Sequence, residues 1–245
     1  MFHNRSALVA ASRRPYVAAG GGGWTPASVS TDLWYDADDA ATITASGGLV
    51  TQWRDKSGNN RHATQSGTLR LTDTASVQNG KHGLLSVVAN QTYMDIPAFT
   101  RAQPFIVVCA FKRTTATANY EGAWEANNTG AGTRPAMLTR FNDGTSDAGI
   151  YDGTNFVKGG GALANNTPYY FVGVFDGASS KFRKNGAAIA TGTMGSGGIT
   201  AATSQQLANY YLPMPGYLLE FFIIPGNSTT DITNAESYLA AKWAI

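Results

Sequence analysis

Leu33-Trp34-Tyr35-Asp36-Ala37, Asp39-Ala40-Ala41-Thr42-Ile43-Thr44 and Val50-Thr51-Gln52-Trp53-Arg54-Asp55-Lys56-Ser57-Gly58-Asn59-Asn60 make up the stretch whose reading decides the fold. Two short apolar pieces, each with a tryptophan, flank turn-forming residues. Asp38 or Asp39 offers a side-chain oxygen to cap a short helical turn. Gly47-Gly48 leads into a strand over residues 49–54. Alternation there puts Val50 and Gln52 on one face and Leu49, Thr51 and Trp53 on the other. Asp55 to Asn60 reverses the chain: Ser-Gly supplies a positive-φ position, and the Asp and Asn side chains bond the local backbone.

The same grammar of short strands and turns runs outward from this stretch. Residues 83–88 and 93–96 read as a strand pair. Residues 105–111 are apolar on both faces, which predicts a central strand covered on both sides. Residues 136–141 end at Asn142-Asp143-Gly144, a turn signal. Residues 149–151 turn at Asp152-Gly153 and return through 155–157. Residues 169–175 turn at Asp176-Gly177, and 181–184 lead to Asn185-Gly186, a strong hairpin signal. Residues 218–224 form another central strand, stopped by Pro225-Gly226. Glu220 lies inside it, where a buried charge needs a partner such as arginine or lysine. A helix comes last: Thr230 or Asp231 caps it, and Ile232, Ala235, Leu239 and Trp243 make one apolar stripe. The pattern predicts an all-β chain, an antiparallel sandwich closed by one short C-terminal helix.

Bulk composition agrees. A chain of 245 residues with 43% apolar residues suits one large β domain. Charged residues are only 14%, against about 25% in ordinary soluble domains. The net charge of +2 creates no field that selects nucleic acid or an anionic membrane. The one cysteine, Cys109, sits in an apolar strand and reads as a buried thiol. No apolar run approaches the ~18 residues of a membrane span. Ala7-Leu8-Val9-Ala10-Ala11 is too short for a signal-peptide core, and Arg13-Arg14 follows rather than precedes it, which predicts a protein made without such a signal. Residues 1–30, with Gly20-Gly21-Gly22-Gly23 as a flexible joint, read as an N-terminal attachment arm held by an assembly or a neighbouring subunit. Residues 31–245 read as the domain.

Leu33-Trp34-Tyr35-Asp36-Ala37, Gln52-Trp53-Arg54-Asp55-Lys56-Ser57-Gly58-Asn59 and Ala235-Glu236-Ser237-Tyr238-Leu239-Ala240-Ala241-Lys242-Trp243 resemble the concanavalin A-like lectin/glucanase superfamily. More narrowly, they resemble the laminin-G-like domains of bacterial surface proteins and tailed-phage virion proteins. Residues 170–177 with Lys184-Asn185-Gly186, and residues 216–224, carry the likeness through the chain. The resemblance implies a two-sheet jelly-roll sandwich from about residue 33 to 245. It leaves function open, because one fold hosts lectins, glycosidases and structural modules.

Candidate chemistry follows from this. Laminarinase-like members of the superfamily carry Glu-x-Asp-x-Glu along one strand. Here Glu121-Gly122-Ala123-Trp124-Glu125 keeps the outer glutamates and has Ala123 in the middle, so both read as solvated rim residues and no catalytic residue is assigned. His3, His62 and His82 lack a nucleophile context and read as surface residues. No metal site is assigned, since no histidines have ligand spacing. Relatives of the fold bind calcium through clustered oxygens. Asp36, Asp38 and Asp39, and Asn142, Asp143 and Asp147, form such clusters, but turn and cap chemistry accounts for both and no cofactor is assigned.

Aromatic residues are the better lead, because sugars stack on rings while amides and acids read hydroxyls. The candidate glycan ligands are Trp124 with Asn127, Asn128 and Arg134; Tyr151 with Asp152 and Asn155; and Tyr210 and Tyr211 after Asn209. Trp34, Trp53 and Trp243 are assigned to the core. The expected function is a non-enzymatic virion decoration or spike protein. It would be homo-oligomeric, anchored through residues 1–30 to other virion proteins or sister subunits, and in contact with host-surface polysaccharide. A secreted or cell-surface carbohydrate-binding module is the alternative, and a glycoside hydrolase the further one. Neither nucleic acid nor membrane is expected as a partner.

Overall fold

A computed structural model describes residues 23–117, 119–126, 134–200, 205–208 and 213–245. The described chain is all-β with one C-terminal helix. In order the strands are β1 (Leu33–Asp36), β2 (Ile43–Ser46), β3 (Leu49–Trp53), β4 (Ala63–Thr64), β5 (Thr72–Gln78), β6 (Lys81–Ser86), β7 (Met94–Ile96), β8 (Phe105–Arg113), β9 (Glu121–Glu125), β10 (Ala136–Arg140), β11 (Ala148–Tyr151), β12 (Phe156–Gly159), β13 (Thr167–Phe175), β14 (Ser180–Lys184), β15 (Ala187–Gly192), β16 (Gln205–Leu207) and β17 (Gly216–Pro225). Helix α1 (Thr229–Trp243) follows.

Two runs of antiparallel ladder make up the sheet. In the first, β17 pairs with β8, β8 with β13, β13 with β14 and β14 with β15. The other flank of β17 pairs with β6 near its start and with β1 further on, and β6 pairs with β5. The second run is β2–β3–β4–β7–β16–β9–β10–β11–β12. The runs meet at the bridge Leu49↔Thr72. At the far end β12 lies against β15: a side chain added at Gly159 would meet Ile189, and one added at Gly192 would meet Val157. The sheet is therefore nearly closed and barrel-like, and most edges are covered.

Alternation along the strands sorts side chains into layers. Phe105, Val107, Cys109 and Phe111 of β8 meet Trp53, Met94, Trp124, Met137, Ile150 and Leu207 in the main core between the runs. Ile106, Val108 and Ala110 face the other way, against Ile232, Ala235, Leu239 and Trp243 of α1. Trp24 packs beside them, on Phe222 and Tyr238. This double coverage explains why β8 is apolar at every position. The hairpin at Asn185-Gly186 forms as its sequence predicts, with φ of 47° and 79°, because both residues tolerate the left-handed conformation that a two-residue turn demands.

Some local readings need correction. Val50 and Trp53 are both in the core, although strict alternation places them on opposite faces. The β2–β3 register pairs Thr44 with Gln52 and Ala45 with Val50, so Thr51 is an unpaired bulge that resets the alternation. Residues 83–88 and 93–96 do not pair. β6 pairs with β5 and β17, while β7 pairs with β4 and β16. β5 reads Thr-Asp-Thr-Ala-Ser-Val-Gln, and its single buried residue, Val77, leaves too weak a period to detect. The α1 cap is Ser228, whose hydroxyl accepts from the Asp231 N–H, two residues before Thr230 and three before Asp231, the caps predicted.

The opening stretch and α1 are tied together by charge. Asp36 of β1 stands directly opposite Glu220 of β17. Lys242 of α1 reaches between them, its Nζ 2.6 Å from Asp36 Oδ1 and 2.9 Å from Glu220 Oε2. Glu220 also accepts from Trp34 Nε1 at 2.8 Å, Trp243 Nε1 at 2.9 Å and the Tyr238 hydroxyl at 2.8 Å. Lys56 completes the chain, 2.9 Å from Asp36 and 4.3 Å above the Trp34 ring. The partner predicted for Glu220 is thus a lysine, joined by the very indoles that mark the fold. Burial pushes the Glu220 carboxyl up, while Lys242 and Lys56 overcome burial at Asp36 and hold its carboxyl down.

Candidate functional site

The first run is covered by the core on one side and by α1 on the other. Among the described residues the helix covers none of the second run, and the face of that run turned away from the main core is the one considered for a ligand. Ladder partners share a face, and the registers place one continuous row on it: Gln52, Thr64, Asp95, Gln206, Glu125, Ala136, Tyr151 and Phe156. At about 4.8 Å per strand the row from Asp95 to Tyr151 spans roughly 19 Å. It runs from amide, hydroxyl and acid side chains into aromatic rings.

The aromatic end is a small cluster of its own. Tyr151 and Phe156 stack at 4.7 Å with 16° between their planes, and Phe141 meets Phe156 edge-on at 4.9 Å. Ala136, Leu138 and Phe141 are buried beneath Tyr120 and Tyr151. Phe156 is 44% exposed and is the one large apolar side chain classed as exposed among the described residues. The stacked Tyr–Phe pair thus puts a flat ring surface at the edge of the run.

The middle of the row is charged. Glu125 carries 1% of its side-chain surface exposed and faces Arg134, whose Nε lies 2.5 Å from Oε1. Gln206 donates from Nε2 to Asp95 Oδ1 at 3.1 Å. Burial raises the Asp95 carboxyl above its ordinary range, against the pull of that hydrogen bond. At the polar end a cavity of about 320 Å³ is lined by Thr51, Thr64, Gln65, Ser66 and Asp95.

No family model and no curated protein sequence matches the chain. Its fold is similar to domain 4 of AbnA, a GH43 extracellular arabinanase from Geobacillus stearothermophilus, in a complex with arabinotriose. That likeness has a TM-score of 0.63 at 14% identity and covers 84% of this chain and 98% of that domain. It is also similar to Trypanosoma rangeli sialidase, with a TM-score of 0.60 at 10% identity over 93% of this chain and 35% of the sialidase. An arabinofuranosidase complexed with arabinofuranosyl-alpha-1,2-xylobiose gives 0.53 at 14% identity, over 80% and 51%. The chain thus spans about a third of the sialidase and half of the arabinofuranosidase. At these identities the likeness is one of fold.

The candidate ligands read from sequence fall into different places. Tyr151 stands on the row, and Arg134 sits above it on Glu125. Trp124 does not: its ring is wholly buried, tilted on Phe221 at 5.9 Å, and donates from Nε1 to Gln205 Oε1 at 3.0 Å. It is a core residue because its strand neighbour Glu125, not Trp124, takes the outward position. Glu121 and Glu125 are likewise buried rather than rim residues. Glu121 receives two hydrogen bonds from Arg113, at 2.8 and 2.9 Å, inside the domain. Asp152 and Asn155 build a turn. Asp152 accepts from the Thr154 and Asn155 N–H groups, from the Asn155 amide and from the Gly195 N–H. Burial raises its carboxyl, yet these donors outweigh it and hold the group below its ordinary value. Asn127, Asn128, Asn209, Tyr210 and Tyr211 lie outside the described residues.

The oxygen clusters are also spoken for. Asp36 and Asp39 share Lys56, and Asp38 pairs with Lys81 at 2.6 Å. Lys158 pairs with Asp143, holding its carboxyl at about 2, and lies 3.9 Å from Asp147. Among the described residues no group of three His, Cys, Asp or Glu side chains is placed to hold a metal ion. His62 Nδ1 accepts from the Asp55 N–H and His82 pairs with Asp73. Sequence reasoning missed Asp95, Gln206 and Phe156, which come from three distant segments. The sole local signal was alternation, and β7 and β16 are three residues each, too short to show it.

Proposed function

We propose that this chain is a non-catalytic glycan-binding module that lays an oligosaccharide across the open face of its second strand run. The observation that carries the reading is the row from Asp95 and Gln206 to Tyr151 and Phe156. It combines side chains that exchange hydrogen bonds with hydroxyls and a ring platform that takes a sugar's C–H face. The AbnA domain, matched over nearly its full length and seen with arabinotriose, supports it. The two runs read as the two sheets of a laminin-G-like jelly-roll sandwich, bridged at Leu49 and Thr72.

Catalysis is not part of this reading. A retaining glycosidase needs carboxyl groups about 5–5.5 Å apart. Asp95 and Glu125 are two strands apart, roughly 9–10 Å at strand spacing, and Glu125 is closed off from the water an inverting enzyme would activate. Residues 1–30 would anchor the module to other virion proteins or sister subunits, with Trp24 as the seat on the domain, and multiple copies would supply avidity on a host surface. A glycan array with wild type and Tyr151→Ala tests the function. Binding that Tyr151→Ala abolishes while the protein stays folded at the assay temperature supports it. Release of new reducing ends from a bound glycan would move the chain to the hydrolases.

A further inference from the structure

Resting on the glycan-binding reading, we infer that the cavity between β3, β4 and β7 is a subsite for one uncharged sugar residue, read through its hydroxyl groups by Asp95 beside the Thr64 and Ser66 hydroxyls.

Size comes first. A cavity of about 320 Å³ is at the lower limit of small-molecule sites, which run from about 300 to 1,000 Å³. That suits one sugar ring rather than a chain. Its lining is three hydroxyls, an amide and a carboxylate, from Thr51, Thr64, Ser66, Gln65 and Asp95. No ring or large aliphatic side chain is among them, so an apolar ligand gains nothing there.

One polar group in this lining is left wanting. Asp95 Oδ1 is engaged by Gln206, while no described residue donates to Oδ2. That acceptor stands in the same lining as the hydroxyls of Thr64 and Ser66. A sugar hydroxyl donates one hydrogen bond and accepts two, so a polyol meets the carboxylate and exchanges hydrogen bonds with those hydroxyls at once. Gln65 shapes the wall: it is 9% exposed, and its Oε1 accepts from the Gly67 N–H.

Charge sets the class. Asp95 is the one charged residue of the lining, and it is negative. Arg54 bonds Gln52 at 3.3 Å on one side, and Arg134 holds Glu125 on the other. Neither lines the cavity. A uronic or sialic carboxylate placed there would face Asp95 with no cation to offset the repulsion. The bulge at Thr51 contributes by shape: it turns the Thr51 side chain toward the cavity out of strand alternation. From the cavity the row leads across Gln206 to the Tyr151–Phe156 platform, so the bound residue would be one end of a longer chain.

Isothermal titration with purified protein tests this. The probes are arabinotriose, xylotetraose, cellotetraose and maltotetraose as neutral ligands, and sialyllactose and tetragalacturonate as acidic ones. Asp95→Asn, Asp95→Ala and Tyr151→Ala are compared, each checked by its melting curve to be folded at the titration temperature. The expected result is binding of at least one neutral probe and of neither acidic one. Asp95→Ala should weaken it about tenfold or more, as loss of a charge-assisted hydrogen bond does, and Asp95→Asn should weaken it less. Preference for an acidic probe overturns the inference. So does neutral binding that Tyr151→Ala abolishes and Asp95→Ala leaves intact, an outcome that keeps the face and discards the subsite. No binding of any probe, with none on the glycan array, overturns the functional reading itself.

Discussion

Replacing Glu220 by leucine should be among the most damaging single changes outside the apolar core. Glu220 is fully buried and receives Trp34 Nε1, Trp243 Nε1, Tyr238 Oη and Lys242 Nζ, all within 2.9 Å. Lys242 keeps Asp36 at 2.6 Å, and the Tyr238 hydroxyl still accepts from Lys242 at 3.1 Å. The two indole N–H groups keep nothing. Each stranded donor costs about 1–3 kcal/mol, which agrees with the 3–5 kcal/mol typical of breaking a buried pair from one side. For a chain of this size each kcal/mol lowers the melting temperature by about 2–4 °C, so a fall of roughly 6–20 °C is expected. Glu220→Gln keeps one acceptor oxygen and should lose about half as much. Lys242→Met, which leaves Glu220 charged without its cation, should match Glu220→Leu, and the double variant should lose less than the sum. Thermal and urea unfolding followed by tryptophan fluorescence report all four. A loss below about 1 kcal/mol for Glu220→Leu would show that the carboxylate is idle and refute the reasoning.

Other outcomes follow from the same geometry. Trp124→Ala should cost about 3–5 kcal/mol through the cavity it leaves, whereas Tyr151→Ala, which gives up a stacked ring at the surface, should cost about 1 kcal/mol and act chiefly on glycan binding, so calorimetry and the array separate the tryptophan and tyrosine roles. Gly173→Ala in β13 should destabilise by about 1–3 kcal/mol, because its Cβ would lie 2.4 Å from Ile150 Cγ2; a neutral result in urea unfolding would contradict that packing. Asp36 and Asp152 are held below their ordinary 3.8 in the folded state, so the unfolded chain binds protons first and stability falls as pH drops below about that value. Lys56 and Lys242 are held above 10.5, so their contribution is complete below that pH and is lost as pH rises past it; melting temperature against pH should fall at both ends, and Asp36→Asn should flatten both limbs. Cys109 is buried and its thiol is pushed far up by burial, so a thiol reagent should label the unfolded chain and spare the native one.

Much of the fold was legible one residue at a time. The both-sided apolar run of β8, the Asn185-Gly186 hairpin, the helical stripe to Trp243 and the core roles of Trp34, Trp53 and Trp243 are local properties: burial period, positive φ and spacing. They require no knowledge of what lies across the sheet. Even the need of Glu220 for a cation follows from desolvation alone. The identity of that cation, a lysine on the last turn of α1, does not. It is set by the register that puts Asp36 opposite Glu220 and by the helix that crosses above them.

The face proposed to bind glycan was out of reach for the same reason. Trp124 and Glu125 are neighbours, and the sequence cannot say which points outward, since a bulge such as that at Thr51 exchanges the two faces. Trp124 turned in and Glu125 turned out under Arg134, the reverse of an exposed ring beside rim acids. Asp95, Gln206, Tyr151 and Phe156 share a row only because β7, β16, β9, β10, β11 and β12 stand side by side. Pairing across the chain is a long-range choice made by the collapsed core, and no local period records it. The sequence by itself thus determined the strand-and-helix inventory and the aromatic anchors of an all-β domain, and tertiary pairing alone decided which polar and aromatic side chains meet on its open face.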